Sequence, residues 1–117
     1  MVAISIPIFT SQLEKAREAT DEANIRSIYA QLSADVLTET ATTTPVDGAT
    51  TYTVAKGTDN VWTGTATYKM TQKTNGLANG ASNITIGGVE IKSDEFTTGI
   101  CTITIKDDGT PTSIVIK

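Results

Sequence analysis

The sequence contains no histidine and a single cysteine, Cys101, among its 117 residues. With one cysteine there is no intramolecular disulfide, and without histidine there is no imidazole for acid-base catalysis or for a zinc cluster. These absences exclude most familiar enzyme mechanisms. We therefore expect no enzymatic activity, no metal and no cofactor, and we interpret Asp107-Asp108-Gly109 as a hairpin turn because the ligand spacing of a calcium loop is missing.

Clustered charge and long apolar runs are absent as well. The net charge is −4 and no block of like charge exceeds two residues, whereas a nucleic-acid interface needs a clustered basic patch. The apolar stretch Met1 to Phe9 is too short to cross a bilayer. We expect a soluble fragment with no nucleic-acid partner.

Glycine does not occur before Gly48, and residues that favour helices dominate the first third of the chain. This pattern predicts a helix from Pro7 to about Leu37, with Met1 to Phe9 helical or frayed. Such a helix measures about 45 Å, whereas a compact body of about 100 residues has a radius of gyration of only ~13 Å. We expect the helix to project from its domain.

Two apolar stripes run along this helix, about 150° apart on a helical wheel. The first stripe consists of Phe9, Leu13, Ala16, Thr20 and Ala23. The second stripe consists of Ile25, Ile28, Tyr29, Leu32 and Val36. The second stripe is predicted to pack on the domain's own sheet, and the first faces a second molecule.

Acidic residues continue the second stripe toward the N-terminus, where a core would not accept them unpaired. They are Glu14, Glu18, Asp21 and Glu22. The sequence therefore predicts that the sheet covers the helix only from about Ile25. Two interpretations of the charges from Lys15 to Glu22 remain open, namely ion pairs between neighbouring molecules and a solvated helix face.

After Leu37 the composition changes to threonine, β-branched residues and glycine, which favour antiparallel sheet. The predicted strands are residues 51–55, 66–71, 83–92 as a hairpin turning at Gly87-Gly88, 100–106 and 112–117. A loop is predicted at 74–83. Cys101, Ile103 and Ile105 alternate with outward residues and are expected to face the helix.

The predicted fold class is α+β, a long N-terminal helix packed by its C-terminal half on an antiparallel β-sheet. The predicted divisions are a projecting helix at 1–37, a connecting loop at 38–50 and a sheet at 51–117, all in one domain.

The residues AISIPIFTSQLEKAREATDEANIRSIYA, from Ala3 to Ala30, resemble the helix of type IV pilins and pilin-like proteins, particularly those of Gram-positive, clostridia-like bacteria. The order of helix, loop and threonine-rich sheet is also similar to that family. The resemblance implies a pilin-like fold and a structural subunit that polymerises with copies of itself, through its helix, into an extracellular surface filament for adhesion, motility or contact. Cys101 departs from the paired cysteines of many Gram-negative pilins.

The resemblance further implies that most of the family's apolar helix half, which lies in the membrane before assembly, is missing before Met1. Pro7 then matches the mid-helix proline of the family. The implied filament-packing residues are Ile4, Ile6, Pro7, Ile8, Phe9, Leu13, Ala16, Thr20 and Ala23.

Two other functions remain open. One is a pseudopilin of a secretion or DNA-uptake system. The other is a surface carbohydrate-binding module, in which Trp62 and the threonine-rich sheet form a ligand face; Trp62, predicted in a glycine-flanked loop, could instead be a lid over the sheet.

Overall fold

The computed structural model describes residues 2–44, 48–73, 75–77 and 82–117, with the backbone alone for residues 2–11. Helix α1 spans Val2–Leu37, so it begins before the predicted start at Pro7. Its 36 residues measure about 54 Å, and the molecule is 62 Å long but only 26 by 19 Å across. The helix therefore accounts for the elongated shape.

The C-terminus of α1 is closed by backbone hydrogen bonds. The amide of Glu39 donates to the carbonyl of Val36 at 3.2 Å, and the amide of Thr40 donates to the carbonyl of Asp35 at 2.9 Å. Together they form a Schellman motif, in which the residue after the C-cap adopts a left-handed backbone conformation. Glu39 occupies that position with a φ of 55°, although glycine is the usual residue there.

In the described part of the chain, six strands follow the helix. They are β1 Thr51–Lys56, β2 Trp62–Lys69, β3 Asn83–Ile86, β4 Val89–Lys92, β5 Ile100–Lys106 and β6 Ser113–Ile116. Four of them form an antiparallel sheet in the order β1-β2-β5-β6, while β3 and β4 form a separate two-stranded sheet. A short 3-10 helix, Ser93–Glu95, follows β4.

Strand β2 begins four residues before the start of the predicted strand at 66–71, and it ends two residues before the end of that strand. Gly64, which the sequence pattern places in a turn, lies inside this strand and pairs with Val54 and Ile105. A Cβ added at Gly64 would lie 2.7 Å from Leu32 Cδ1 and Val36 Cγ2. Glycine is therefore required here because the helix crosses the sheet at this point.

Both predicted hairpins are confirmed. Strands β3 and β4 pair around Gly87-Gly88, whose φ angles of 58° and 80° suit glycine. The ring of Tyr29 packs so closely on Gly87 that a Cβ there would overlap it. Strands β5 and β6 form the second hairpin. Part of the predicted loop at 74–83 lies outside the described residues, and Asn83 belongs to β3.

The core lies between the C-terminal half of α1 and the inner face of the sheets. From the helix it contains Ile25, Ile28, Leu32 and Val36, with Tyr29 half-buried at its margin. From β5 it contains Cys101, Ile103 and Ile105. The fold is thus α+β, with one N-terminal helix packed on an antiparallel sheet.

Candidate assembly face of the helix

The first apolar stripe of α1 is exposed along the part that the structure describes with side chains. Leu13 is 39% exposed, and Ala16, Thr20 and Ala23 are also exposed. The hydroxyl of Thr20 donates to the carbonyl of Ala16 at 2.9 Å, so it is satisfied within the helix. This stripe is a surface of small and apolar groups that a second helix could approach closely.

The remaining predicted filament-packing residues, Ile4, Ile6, Pro7, Ile8 and Phe9, lie where only the backbone is described. That backbone is helical. They extend the same helix away from the sheet.

The opposite side of α1 carries a buried carboxylate, Asp21, which is 0% exposed. The hydroxyls of Tyr68 and Thr71 donate to its Oδ1 at 2.7 and 2.6 Å. The amides of Thr71 and Gln72 donate to its Oδ2 at 3.1 and 3.0 Å. The segment after β2 is thereby tied to the helix, and both carboxylate oxygens are satisfied as acceptors.

Two further carboxylates extend this contact toward the N-terminus. Both oxygens of Glu14 accept from the amide of Lys73, at 2.7 and 2.9 Å, and Glu18 is only 3% exposed. The sheet therefore reaches α1 one turn before the predicted limit at Ile25, through Tyr68, and the segment after β2 covers the helix further, back to Glu14. Asp21 and Glu14 are accommodated because residues 71–73 present backbone amides to them.

The same contacts correct in part the two interpretations of the charges from Lys15 to Glu22, as ion pairs between molecules or as a solvated helix face. Asp21 is buried within its own chain, so it belongs neither to a solvated face nor to an ion pair between molecules. Glu22 pairs with Arg26 at 3.7 Å; burial raises the pKa of the Glu22 carboxyl, and the Arg26 charge opposes that shift.

Nearer the C-terminus of α1, the carboxylate of Asp35 accepts a hydrogen bond from the hydroxyl of Tyr52 on β1. Burial, followed by this bond, raises the pKa of Tyr52. The helix therefore meets the sheet through a tyrosine hydroxyl near each end of the contact, at Asp21 and at Asp35.

Trp62 is not in a loop, and it does not share a face with the exposed threonines. It begins β2 opposite Lys56, on the side of the strand that carries the buried residues, and it packs partly buried against the core. Its amide donates to Asp107 Oδ1 at 2.9 Å. The predicted ligand face made of Trp62 and the threonines is thus wrong, and the lid interpretation describes its packing.

The buried Asp21 is the feature that sequence reasoning missed. A signal was present: Asp21 stands four residues before Ile25 and seven before Ile28, which places it on the buried stripe. A carboxylate at such a position requires several hydrogen-bond donors, and these come from residues 47 to 51 positions away in the sequence.

Within the described residues there is no group of three or more acidic or cysteine side chains that could hold a metal ion. In that same part of the chain, no helix is both long and apolar enough to span a membrane. No family model, curated protein or solved structure matches this chain.

Proposed function

We propose that this chain is the subunit of a type IV pilus-like surface filament and that it assembles through the N-terminal half of α1. The observation that carries this proposal is the difference between the two sides of the helix. One side is covered by the body back to Glu14, while Leu13, Ala16 and Ala23 on the other side remain exposed.

The resemblance of residues 3–30 to pilins supports the same proposal, because that family polymerises through this helix. In the filament, copies of the chain are each other's partners, and the membrane holds each subunit by an apolar segment before assembly. The filament is extracellular and serves adhesion, motility or contact. The subunit performs no chemistry.

Helix-to-helix burial supplies the free energy of this assembly. Fully burying a side chain such as Leu13 is worth about 1.5–3 kcal/mol. Alanine and threonine beside it let two helix axes approach to about 8–10 Å. Asp21 and Glu14 on the covered side already accept hydrogen bonds within the chain, so assembly through the exposed side leaves them undisturbed.

The test is assembly of the chain with an apolar helical segment of about 20 residues placed ahead of Val2. We expect filaments by electron microscopy, and a chain that stays monomeric would overturn the proposal. Ala16→Asp should block filament formation, because it places a charge in the stripe.

Ala34→Asp is the matched control for that variant. It adds the same charge at an exposed position of the same helix, but in the half that packs on the sheet, and filaments should still form. Circular dichroism should show that both variants are folded. An unfolded Ala16→Asp chain would show instead that Ala16 contributes to the stability of its own domain.

A further inference from the structure

The side of the four-stranded sheet that faces away from the helix carries rows of hydroxyl groups, and we call it the threonine face. It arises from the alternation Thr-x-Thr in β1, β2 and β5. The register aligns Thr53, Thr65, Thr104 and Ser113 in one row. Thr51, Thr67 and Thr102 form the next row.

The spacing of this face is set by the sheet itself. Neighbouring strands lie about 4.8 Å apart, and outward residues on one strand are about 6.8 Å apart. The hydroxyls of Thr51 and Thr67 are 2.7 Å apart and form a hydrogen bond. The centre of the face is therefore a neutral array of hydroxyl and methyl groups.

Charge on this face is of one sign. Lys69, Lys106 and Lys117 occupy outward positions at its two ends, and the outward positions of these strands hold no Asp or Glu, although the chain has 13 Asp and Glu against 9 Lys and Arg. None of these lysines forms an ion pair with a carboxylate of the described residues. The ammonium of Lys106 contributes to lowering the pKa of Asp108, after the hydrogen bonds from Thr110, so its charge is partly countered from the adjacent turn.

Two exposed aliphatic side chains lie beside the lysines. Ile100 is 51% exposed and Val115 is 42% exposed. Ile100 pairs with Lys69 on one side and with Lys117 on the other, so the backbones of the two lysines lie on either side of it, about 9.6 Å apart across the sheet. This end of the face offers a small apolar platform between two positive charges.

We propose that the threonine face binds an acidic polysaccharide chain. The threonine and serine hydroxyls both donate and accept, as sugar hydroxyls do. The lysines are complementary to uronate carboxylates, and Ile100 and Val115 contact the C–H faces of the sugar rings. The positive edge opposes the chain's overall negative charge, and this is why the ligand is anionic and not neutral.

Other polymers fit this surface less well. A single-stranded nucleic acid requires aromatic side chains for base stacking, and the outward rows contain none. A protein partner would require a larger apolar centre, with aromatic anchors. Extended glycans match a face whose contacts are many, polar and individually weak.

The test uses the monomer, so it does not depend on filament assembly. Oligomers of polygalacturonate are titrated into the full chain, and amide NMR shifts are followed. We expect fast-exchange shifts in the outward rows of β2, β5 and β6, weakening with salt. Fully methyl-esterified oligomers, which have the same backbone without the charge, should bind at least about threefold more weakly, as expected for surface charge pairs.

Variants separate the two kinds of contact. Lys69→Gln with Lys117→Gln should raise the dissociation constant at least about threefold, and Lys92→Gln, an exposed lysine on β4 away from this face, should leave it unchanged. Thr65→Val with Thr104→Val keeps the side-chain shape and removes two hydroxyls, and it should also weaken binding.

Three results would overturn the proposal. They are no shift with polygalacturonate, shifts outside the threonine face, and equal binding of polyglutamate, which carries carboxylates without sugar hydroxyls. Filament assembly through Ala16 is measured separately, so failure here leaves the proposed assembly standing.

Discussion

The hydroxyl of Tyr68 lies 2.7 Å from Oδ1 of Asp21, so the sheet donates a hydrogen bond to the helix one turn before the first apolar core residue, Ile25. The same carboxylate accepts from two backbone amides just beyond β2. The inner face of α1 thus packs apolar side chains on the sheet, and it also carries carboxylates that accept hydrogen bonds from sheet tyrosines and from the segment after β2. On the outer face, Leu13 and Ala16 remain exposed.

Asp21→Asn should destabilise the fold by about 2–4 kcal/mol. The amide group replaces an acceptor oxygen with a donor that faces other donors, and a buried hydrogen-bonded charge is lost. Urea unfolding monitored by circular dichroism measures the effect. Asp94→Asn, at an exposed position, should change stability by less than about 0.5 kcal/mol, and equal effects from the two variants would contradict the role assigned to Asp21.

Gly64→Ala should destabilise the fold by about 1–3 kcal/mol, because the added methyl group overlaps Leu32 and Val36. The double variant with Val36→Ala should lose less stability than the sum of the two single variants, since removing the valine methyls makes room. Denaturant midpoints of the four proteins give the coupling. Strict additivity would show that the helix does not press on the sheet at this point.

Glu39→Gly should stabilise the protein by about 1 kcal/mol. Glu39 adopts a φ of 55° in the Schellman motif, a conformation that costs a residue with a Cβ about 1–2 kcal/mol and costs glycine little. Part of the gain is offset by the greater freedom of glycine in the unfolded chain. Thermal unfolding checks this, and a lower melting temperature would show that Glu39 is not strained.

Alkaline pH should destabilise the fold through Cys101. Burial, with a smaller contribution from the charge of Asp21, raises the pKa of this thiol from 9.0 to about 12. A pKa raised in the folded state means that the contribution to stability is fully present below pH 9 and is lost as pH rises toward 12. Between pH 8 and pH 10 the loss from this one group is about 1 kcal/mol.

Cys101→Ala is the control for that pH dependence. It lowers stability at every pH by leaving a cavity, but its loss between pH 8 and pH 10 should be smaller than that of the parent chain by about 1 kcal/mol. Urea unfolding at the two pH values measures both differences. If the variant loses as much stability between pH 8 and pH 10 as the parent chain, the alkaline loss comes from other groups. One such group is Tyr68, whose pKa is also raised by burial.

Local patterns in the sequence predict the elements whose contacts are local. The Gly87-Gly88 hairpin and the alternation of Cys101, Ile103 and Ile105 follow from turn chemistry and from the period of two in a strand. Ile28 and Leu32 follow from helical spacing. In each of these cases the residue type and the structure agree.

The features that sequence reasoning missed depend on contacts between distant residues. Gly64 is typical of a turn, and only the helix crossing above β2 explains a glycine inside the strand. Asp21 is typical of a solvated helix, and only the hydrogen-bond donors of residues 68, 71 and 72 make its burial possible. The prediction that Trp62 lies in a loop is wrong for the same reason. Trp62 begins β2 and pairs with Lys56 on the neighbouring strand.

The measurement that tests the proposed assembly most directly is a cryo-electron microscopy reconstruction of filaments formed by the chain with its apolar segment. We predict α1 at the filament centre, with Leu13 and Ala16 within contact distance of a neighbouring helix whose axis is about 8–10 Å away. The threonine face should point outward. A filament in which Leu13 and Ala16 face solvent, or in which the sheets form the subunit contacts and α1 lies outside, would contradict the account.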